Sequence, residues 1–411
     1  VCEFGIQLEL NRSSSTHHTF LIIGSGTAAE AAIRAIREID ENSSIGVITK
    51  GDRVHNRWTL ISGDSLSADA QDQAEPSGDD WNITYHLNRE VTAIFPDSKT
   101  VLDDKEEIYT YHKLLIATGD KPRRLQDGDD DALGHIVYPR TVGDLQQIRA
   151  MCGQDLNFGV IGGGFIGTEL ASALVQRGMC VSMFFPEPNM LHEILPETIG
   201  RKVLSMFRDN GVNVYAQESI VSVDMIGQEM VLRTSKGNVI NFGAVVAGLG
   251  STPEHGLARN AGLHVETGII VDSKCRTSQS DIYAAGAVSQ FTNPALGTSL
   301  RFDHVENAQA MGDIAGRNMA GQPAIYDIIP MFRTRFFDVV IEAIGDVSSR
   351  LSYVIDWNED KDKGIIYYLA VSRVRGVLFW NVPSNAEAAS NLIRSEGIFN
   401  SNTLKGRIPL D

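Results

Sequence analysis

Hydrophobic and polar positions along this chain follow two periods, and the places where one gives way to the other predict most of its elements. Thr19 to Ile23 is an apolar run. Gly24-Ser25-Gly26-Thr27-Ala28-Ala29 follows, then a segment rich in Ala and Ile from Ala28 to Ile39, then a second apolar run from Ile45 to Thr49. Short apolar runs bounded by turn residues read as buried strands and a 3.6-residue period as helix, so this block is a βαβ unit. The same order returns near Asn157: a strand, the loop Gly162-Gly163-Gly164-Phe165-Ile166-Gly167, a helix from Ile166 to Arg177 stopped by Gly178, and a strand from Cys180 to Phe185.

Around these units, residues 1–17 read as a polar entry and 62–81, almost without apolar content, as a mobile loop. Strands are expected at 91–102, 107–116, 219–224, 229–234 and 243–250, and a helix over 304–319. From about 325 strands dominate, including Ile365 to Val371 and Val374 to Trp380, before a short helix from Asn385 to Glu396. The expected fold class is α/β, with two Rossmann-like dinucleotide-binding domains plus a C-terminal α+β domain.

The two glycine loops carry the chemistry. Gly162, Gly164 and Gly167 follow a strand and open a helix, which permits a tight turn and close backbone approach to a pyrophosphate. An acid about twenty residues on should hold the adenosine ribose hydroxyls, and Glu187 stands there. Its charge favours NAD over NADP, because it repels a 2′-phosphate. Gly24, Gly26 and Ala29 repeat the device, but the next strand ends at Lys50, which offers no acceptor. Asp52 substitutes only if the turn bends; otherwise the loop serves packing alone. Two adjoining dinucleotide sites point to electron transfer between two cofactors.

Composition removes several alternatives. Hydrophobic residues are 43% and charged residues 21%, and no apolar run is long enough to span a bilayer. A net charge of −16 argues against direct nucleic-acid binding. Cys2, Cys152, Cys180 and Cys275 form no CxxC, so neither zinc nor an active dithiol is indicated. His17-His18 reads as a solvated pair rather than a metal site. Asp303-His304-x-Glu306 reads either as a catalytic cluster or as a helix N-cap with solvated acids. The chain opens on Val1, not Met, and no signal or transit peptide is read at its start, so its address is left to indirect argument.

Taken together, Phe20 to Ala32, Lys113 to Gly119, Ile161 to Ala171, Phe185-Pro186-Glu187, Ile194 to Glu197, His304 to Met319, Glu342 to Gly345 and Leu378 to Asn381 make the chain resemble the apoptosis-inducing factor family of two-dinucleotide flavoproteins. The resemblance implies an FAD domain split between 1–125 and 253–325, an NAD domain at 126–252 and a C-terminal domain at 326–411. It implies hydride transfer from NADH to the flavin, with Phe165 and His304 flanking the nicotinamide and Glu169 near the flavin. It adds Thr118, Gly119, Gly286 and Gly250 to the cofactor contacts. It also implies a mitochondrial intermembrane-space address, NADH-linked homodimers, a protein partner for import or respiratory assembly, and relocation to the nucleus in cell death.

The departures fall largely on one ligand. Family members carry an acid at Lys50 and an Asp at Ala287. They carry an Arg-Pro-Pro-Leu-Ser-Lys segment where Asn56 to Ser62 keeps at most Arg57, losing the Lys that pairs with Glu169. A family Trp aligns with Arg333, and of a long C-terminal insertion only Asn358 to Lys363 remains. Each lost charged or ribose hydrogen bond is worth ~1.5–3 kcal/mol, so losing two weakens flavin binding by about a hundredfold or more. Three readings follow: a working NADH-dependent flavoprotein with contacts re-routed through Asp52, Arg57 and backbone amides; a degenerate NAD(H)-responsive binding or assembly factor without FAD; and a nuclear death effector acting through a protein partner.

Overall fold

A computed structural model of the chain describes residues 15–52, 81–154 and 156–410. Cys2, Arg57, the Asn56 to Ser62 segment and all but Trp81 of the expected 62–81 loop lie outside the described residues.

The first sheet runs 83–86, 45–48, 16–23, 108–116, 100–103, 91–95 in spatial order, and Ile282–Ala284 also pairs with Ile108–Ile116. Its inner strands are parallel, with Phe20 opposite Ile45 and Lys113, and a late strand completes it by placing Ile282 opposite Leu114. The second sheet, 213–216, 180–185, 157–161, 244–247, is parallel throughout, and Asn213 to Phe242 adds a three-stranded antiparallel sheet after its first strand. Five antiparallel strands from Met331 to Trp380 form the C-terminal sheet, flanked by helix Ala386–Arg394. The class is therefore α/β, with Rossmann-like sheets and a C-terminal α+β unit.

Two helices fix the first cleft. Thr27–Arg37 lies against Val305–Met319, and a Cβ on Gly312 or Gly316 would collide with the carbonyl oxygens of Ala28 or Ala32. This close backbone approach brings His304, which precedes the second helix, over the first glycine loop.

Several expectations need correction. The expected strand over 91–102 is a hairpin, Val91–Phe95 and Thr100–Asp103, because the chain turns at Pro96 to Lys99 with Lys99 at φ +51°. The strand expected at 243–250 stops at Ala247, since Gly250 takes φ +78°, and Ser251–Pro253 then pairs with Asp120–Pro122. The first strand begins at Thr16, so His17-His18 is not a solvated loop pair. His18 is 3% exposed and its Nε2 lies 3.0 Å from His86 Nε2. Gly46 leaves room for its ring, where any Cβ would overlap the imidazole.

Candidate active site between two dinucleotide clefts

Each glycine loop is built for backbone approach. Gly24 at φ +106° lies against the Ala117 carbonyl and Gly162 at φ +115° against that of Gly248, so a side chain at either would collide with backbone. Gly167 is locked in the same way against the Gly162 carbonyl. Gly26 and Gly164 differ, because the space beside each is open. They are the N-caps of helices Thr27–Arg37 and Phe165–Gln176, and neither helix has a side-chain cap. Free helix-terminal N–H groups beside open space fit a pyrophosphate at both loops. Ala29, at the third position, is buried.

A cleft of about 830 Å³ lies over the first loop and is lined by Gly24, Gly26, Lys50, Thr118, Gly119 and Gly286, among others. A second cavity, about 410 Å³, lies at the second loop beside Gly164, Phe165, Glu169, Gly250, His304 and Arg333. Arg140, Asp303, His304 and Val305 line both. The structure thus brings Phe165, Glu169 and His304 to one place. Asp52, proposed as a substitute acid, is exposed and does not line the cleft. Glu187 is half-buried just past strand Cys180–Phe185, where its carbonyl accepts from Gln217 N–H at 3.1 Å. It is not among the residues lining the second cavity.

Three rings meet at His304, which lines both spaces. His304 stacks on Phe332 with centroids 5.1 Å apart and planes 21° apart. Phe165 meets both edge-on, at 5.4 Å and 4.9 Å. Burial pulls the His304 pKa below its ordinary value, although Asp303 and Glu306 act against this, so the imidazole is neutral at physiological pH. Asp303 is not an N-cap: the cap position is His304, and Asp303 accepts from the Ser251 hydroxyl at 3.0 Å. Burial works to raise the Asp303 carboxyl, but His304, Arg301, Ser251 and Arg140 together hold it below the usual range.

Sequence reasoning missed the charges around these rings. The Asp120 side chain is fully buried and ion-paired with Arg140, with Arg301 Nη1 3.9 Å away. Burial pushes its carboxyl above the ordinary value despite both arginines. Arg301 also donates to the Ala287 carbonyl at 3.1 Å, at the position that lacks the family acid. Asp120 follows Thr118-Gly119 directly, which could have drawn attention to it; nothing in the sequence marks Arg140. Thr334, fully buried, donates to Glu169 Oε1 at 2.7 Å, so a hydroxyl serves the carboxylate whose family partner is a lysine. Arg333 pairs with Glu342 at 3.3 Å on the outer rim.

Among the described residues Cys152, Cys180 and Cys275 are free, and none of them lines either cleft. The described residues also contain no cluster of His, Cys, Asp and Glu able to hold a metal and no helix long and apolar enough to cross a membrane.

Comparison with known proteins agrees with this arrangement. The profile of the pyridine nucleotide-disulphide oxidoreductase family matches residues 18–312. The ferredoxin–NAD(+) reductase component of the anthranilate 1,2-dioxygenase system of Burkholderia cepacia is 31% identical over 79% of this chain and 81% of its own. Mitochondrial apoptosis-inducing factor 1 of Dictyostelium discoideum is 28% identical over 95% of this chain and 81% of its own. The fold is shared with a chain of the covalent putidaredoxin reductase–putidaredoxin complex, at TM-score 0.83 and 22% identity over 93% of this chain and 97% of that one.

Proposed function

Because the chain belongs to the pyridine nucleotide-disulphide oxidoreductase family, we propose that it is an NADH-dependent flavoprotein reductase that passes electrons to a small redox protein of the ferredoxin type. FAD and NAD(H) are the cofactors of this family. The observation that carries the reading is the set of residues common to both clefts, Arg140, Asp303, His304 and Val305, because hydride transfer requires the reacting ends of two cofactors to meet. When both are bound, the nicotinamide supplies a hydride and the flavin accepts it.

The chain's own residues bind, orient and exclude. Gly26 and the N-terminus of Thr27–Arg37 receive one pyrophosphate, and Gly164 and the N-terminus of Phe165–Gln176 the other. Glu187 holds the adenosine ribose of NADH and repels a 2′-phosphate. Phe165, His304 and Phe332 keep water from the junction, and the neutral His304 ring adds no positive charge beside the nicotinamide. Arg140 and Arg301 offer positive charge toward the first cleft, balanced by the buried Asp120. The test is NADH-driven reduction of cytochrome c by the FAD-loaded protein, with and without added ferredoxin. Ferredoxin-dependent turnover supports the reading; NADH consumption that no protein acceptor accelerates contradicts the ferredoxin assignment.

A second reading is a mitochondrial protein similar to apoptosis-inducing factor, with weakened flavin binding and NADH-linked dimers. It is favoured by the absence of an acid at Ala287 and by the similarity to the Dictyostelium protein over 95% of this chain. Light scattering with and without NADH tests it: a doubling of mass with NADH supports it, and an unchanged mass counts against it.

A further inference from the structure

We infer that Glu254 takes over the reading of the adenosine ribose in the first cleft, the role that an acid at position 50 plays elsewhere in the family; this rests on FAD being the occupant of that cleft. Lys50 follows strand Ile45–Ile48 by two residues, beside the point where the Ser25 and Thr49 hydroxyls meet at 2.9 Å. An ammonium donates but cannot accept, so Lys50 cannot hold two ribose hydroxyls as a carboxylate does.

The acceptors come from across the cleft. Lys50 Nζ lies 2.8 Å from Glu90 Oε1 and 3.5 Å from Glu254 Oε2, and Lys121 Nζ lies 3.6 Å from Glu254 Oε1. All four residues line the cleft. Burial acts against the Lys50 charge, but Glu90 and Glu254 outweigh it and hold its pKa above the ordinary value. Two cations against two carboxylates leave this cluster no surplus positive charge for an extra phosphate. Each carboxylate oxygen has more than one acceptor position, so oxygens facing the lysines still accept from a ligand hydroxyl.

Glu254 is the better placed of the two acids. Its N–H donates to the Gly119 carbonyl at 3.0 Å and its carbonyl accepts from Thr118 Oγ1 at 3.0 Å. Thr118 and Gly119 follow strand Ile108–Ile116 and Ala117, whose N–H bonds the Ile23 carbonyl at 2.8 Å, next to Gly24. Glu254 is therefore tied to the platform that carries the phosphate loop. Its side chain is 27% exposed, against 53% for Glu90. The lysine and acid have in effect exchanged sides, and Lys50 and Lys121 position the acid instead of reading the ribose.

The experiment titrates flavin-stripped protein with FAD and separately with FMN, which lacks the adenosine, following quenching of flavin fluorescence. Glu254→Gln should weaken FAD binding about tenfold and leave FMN unchanged, the loss expected for a charged acceptor. Lys50→Glu should also weaken FAD, because it sets a third carboxylate beside Glu90 and Glu254. Equal losses for both flavins, no loss in Glu254→Gln, a loss confined to Glu90→Gln, or tighter FAD binding by Lys50→Glu would each overturn the assignment. A wild-type protein that binds no flavin would remove the proposed function and this inference with it. Tight wild-type binding with an unaffected Glu254→Gln variant would remove this inference alone.

Discussion

The imidazole of His304 lies on the ring of Phe332, centroids 5.1 Å apart, and the edge of Phe165 closes against both. His304 lines both clefts and Phe165 the second, so under the proposed function a nicotinamide reaching toward the first cleft displaces the Phe165 ring. Each aromatic pair is worth about 0.5–1.5 kcal/mol beyond its buried area, and displacing the ring gives up two of them. Phe165→Leu should therefore tighten NAD⁺ binding by about five- to a hundredfold in calorimetric titration. Weaker binding would mean the ring stays in place as part of the nicotinamide wall.

The second loop separates folding from binding at two glycines. A Cβ at Gly167 would strike the Gly162 carbonyl, whereas Gly164 faces open space. Gly167→Ala should lower the melting temperature. Gly164→Ala should melt like the wild type and still lose at least about tenfold in NAD⁺ affinity, because the methyl occupies the pyrophosphate approach. Equal melting temperatures for the two variants would contradict this division.

Asp120 depends on its arginine. Its side chain is fully buried, and Arg301 at 3.9 Å is a weaker partner than Arg140. Arg140→Ala should destabilise the fold by about 2–4 kcal/mol in urea unfolding, since it strands a buried carboxylate. Adding Asp120→Asn should recover most of that loss. Additive losses in the double variant would show that the two residues are not coupled.

Thr334 is one of the partners that hold Glu169. Thr334→Val removes the hydroxyl that donates to this buried carboxylate while preserving volume, at a cost of about 1–3 kcal/mol. Thr334→Ser should retain the bond and most of the stability. Identical unfolding midpoints for Val and wild type would remove the role assigned to the hydroxyl.

The buried His18 makes stability depend on pH. Burial, reinforced by His86 and His17, lowers its pKa from 6.5 to about 4. The unfolded chain binds this proton first. The contribution is therefore full above pH 6.5, is lost as pH falls from there to about 4, and changes little below. At about 1.4 kcal/mol per pH unit the loss reaches about 3 kcal/mol. Urea unfolding at pH 7.5 and pH 5 should show the fall in wild type and a smaller one in His18→Gln. Equal falls would assign the effect to other groups.

Both glycine loops and their helices were legible in the sequence because a phosphate loop needs small residues at fixed spacing next to a strand and a helix. Helix Glu197–Asp209 passed unnoticed, although Ile199, Val203, Leu204 and Phe207 sit at helical spacing and are buried together. The hairpin at Lys99 hid inside what reads as one apolar run, because its turn residues interrupt the run without ending it. Arg140, Thr334 and Glu254 were not legible as site residues. Their roles come from pairing with Asp120, Glu169 and Lys50, which lie 20, 165 and 204 positions away, and local pattern carries no trace of such meetings. For the same reason Lys50 read only as a damaged site, since the acids beside it come from other loops.

The most direct measurement is an anaerobic titration of the FAD-reconstituted protein with NADH, following the visible flavin absorbance. Full bleaching at one NADH per flavin is the expected result, with the Gly164→Ala variant requiring far more NADH. A protein that takes up no FAD, or whose bound flavin stays yellow in excess NADH, would contradict the assignment of two cofactors meeting at His304.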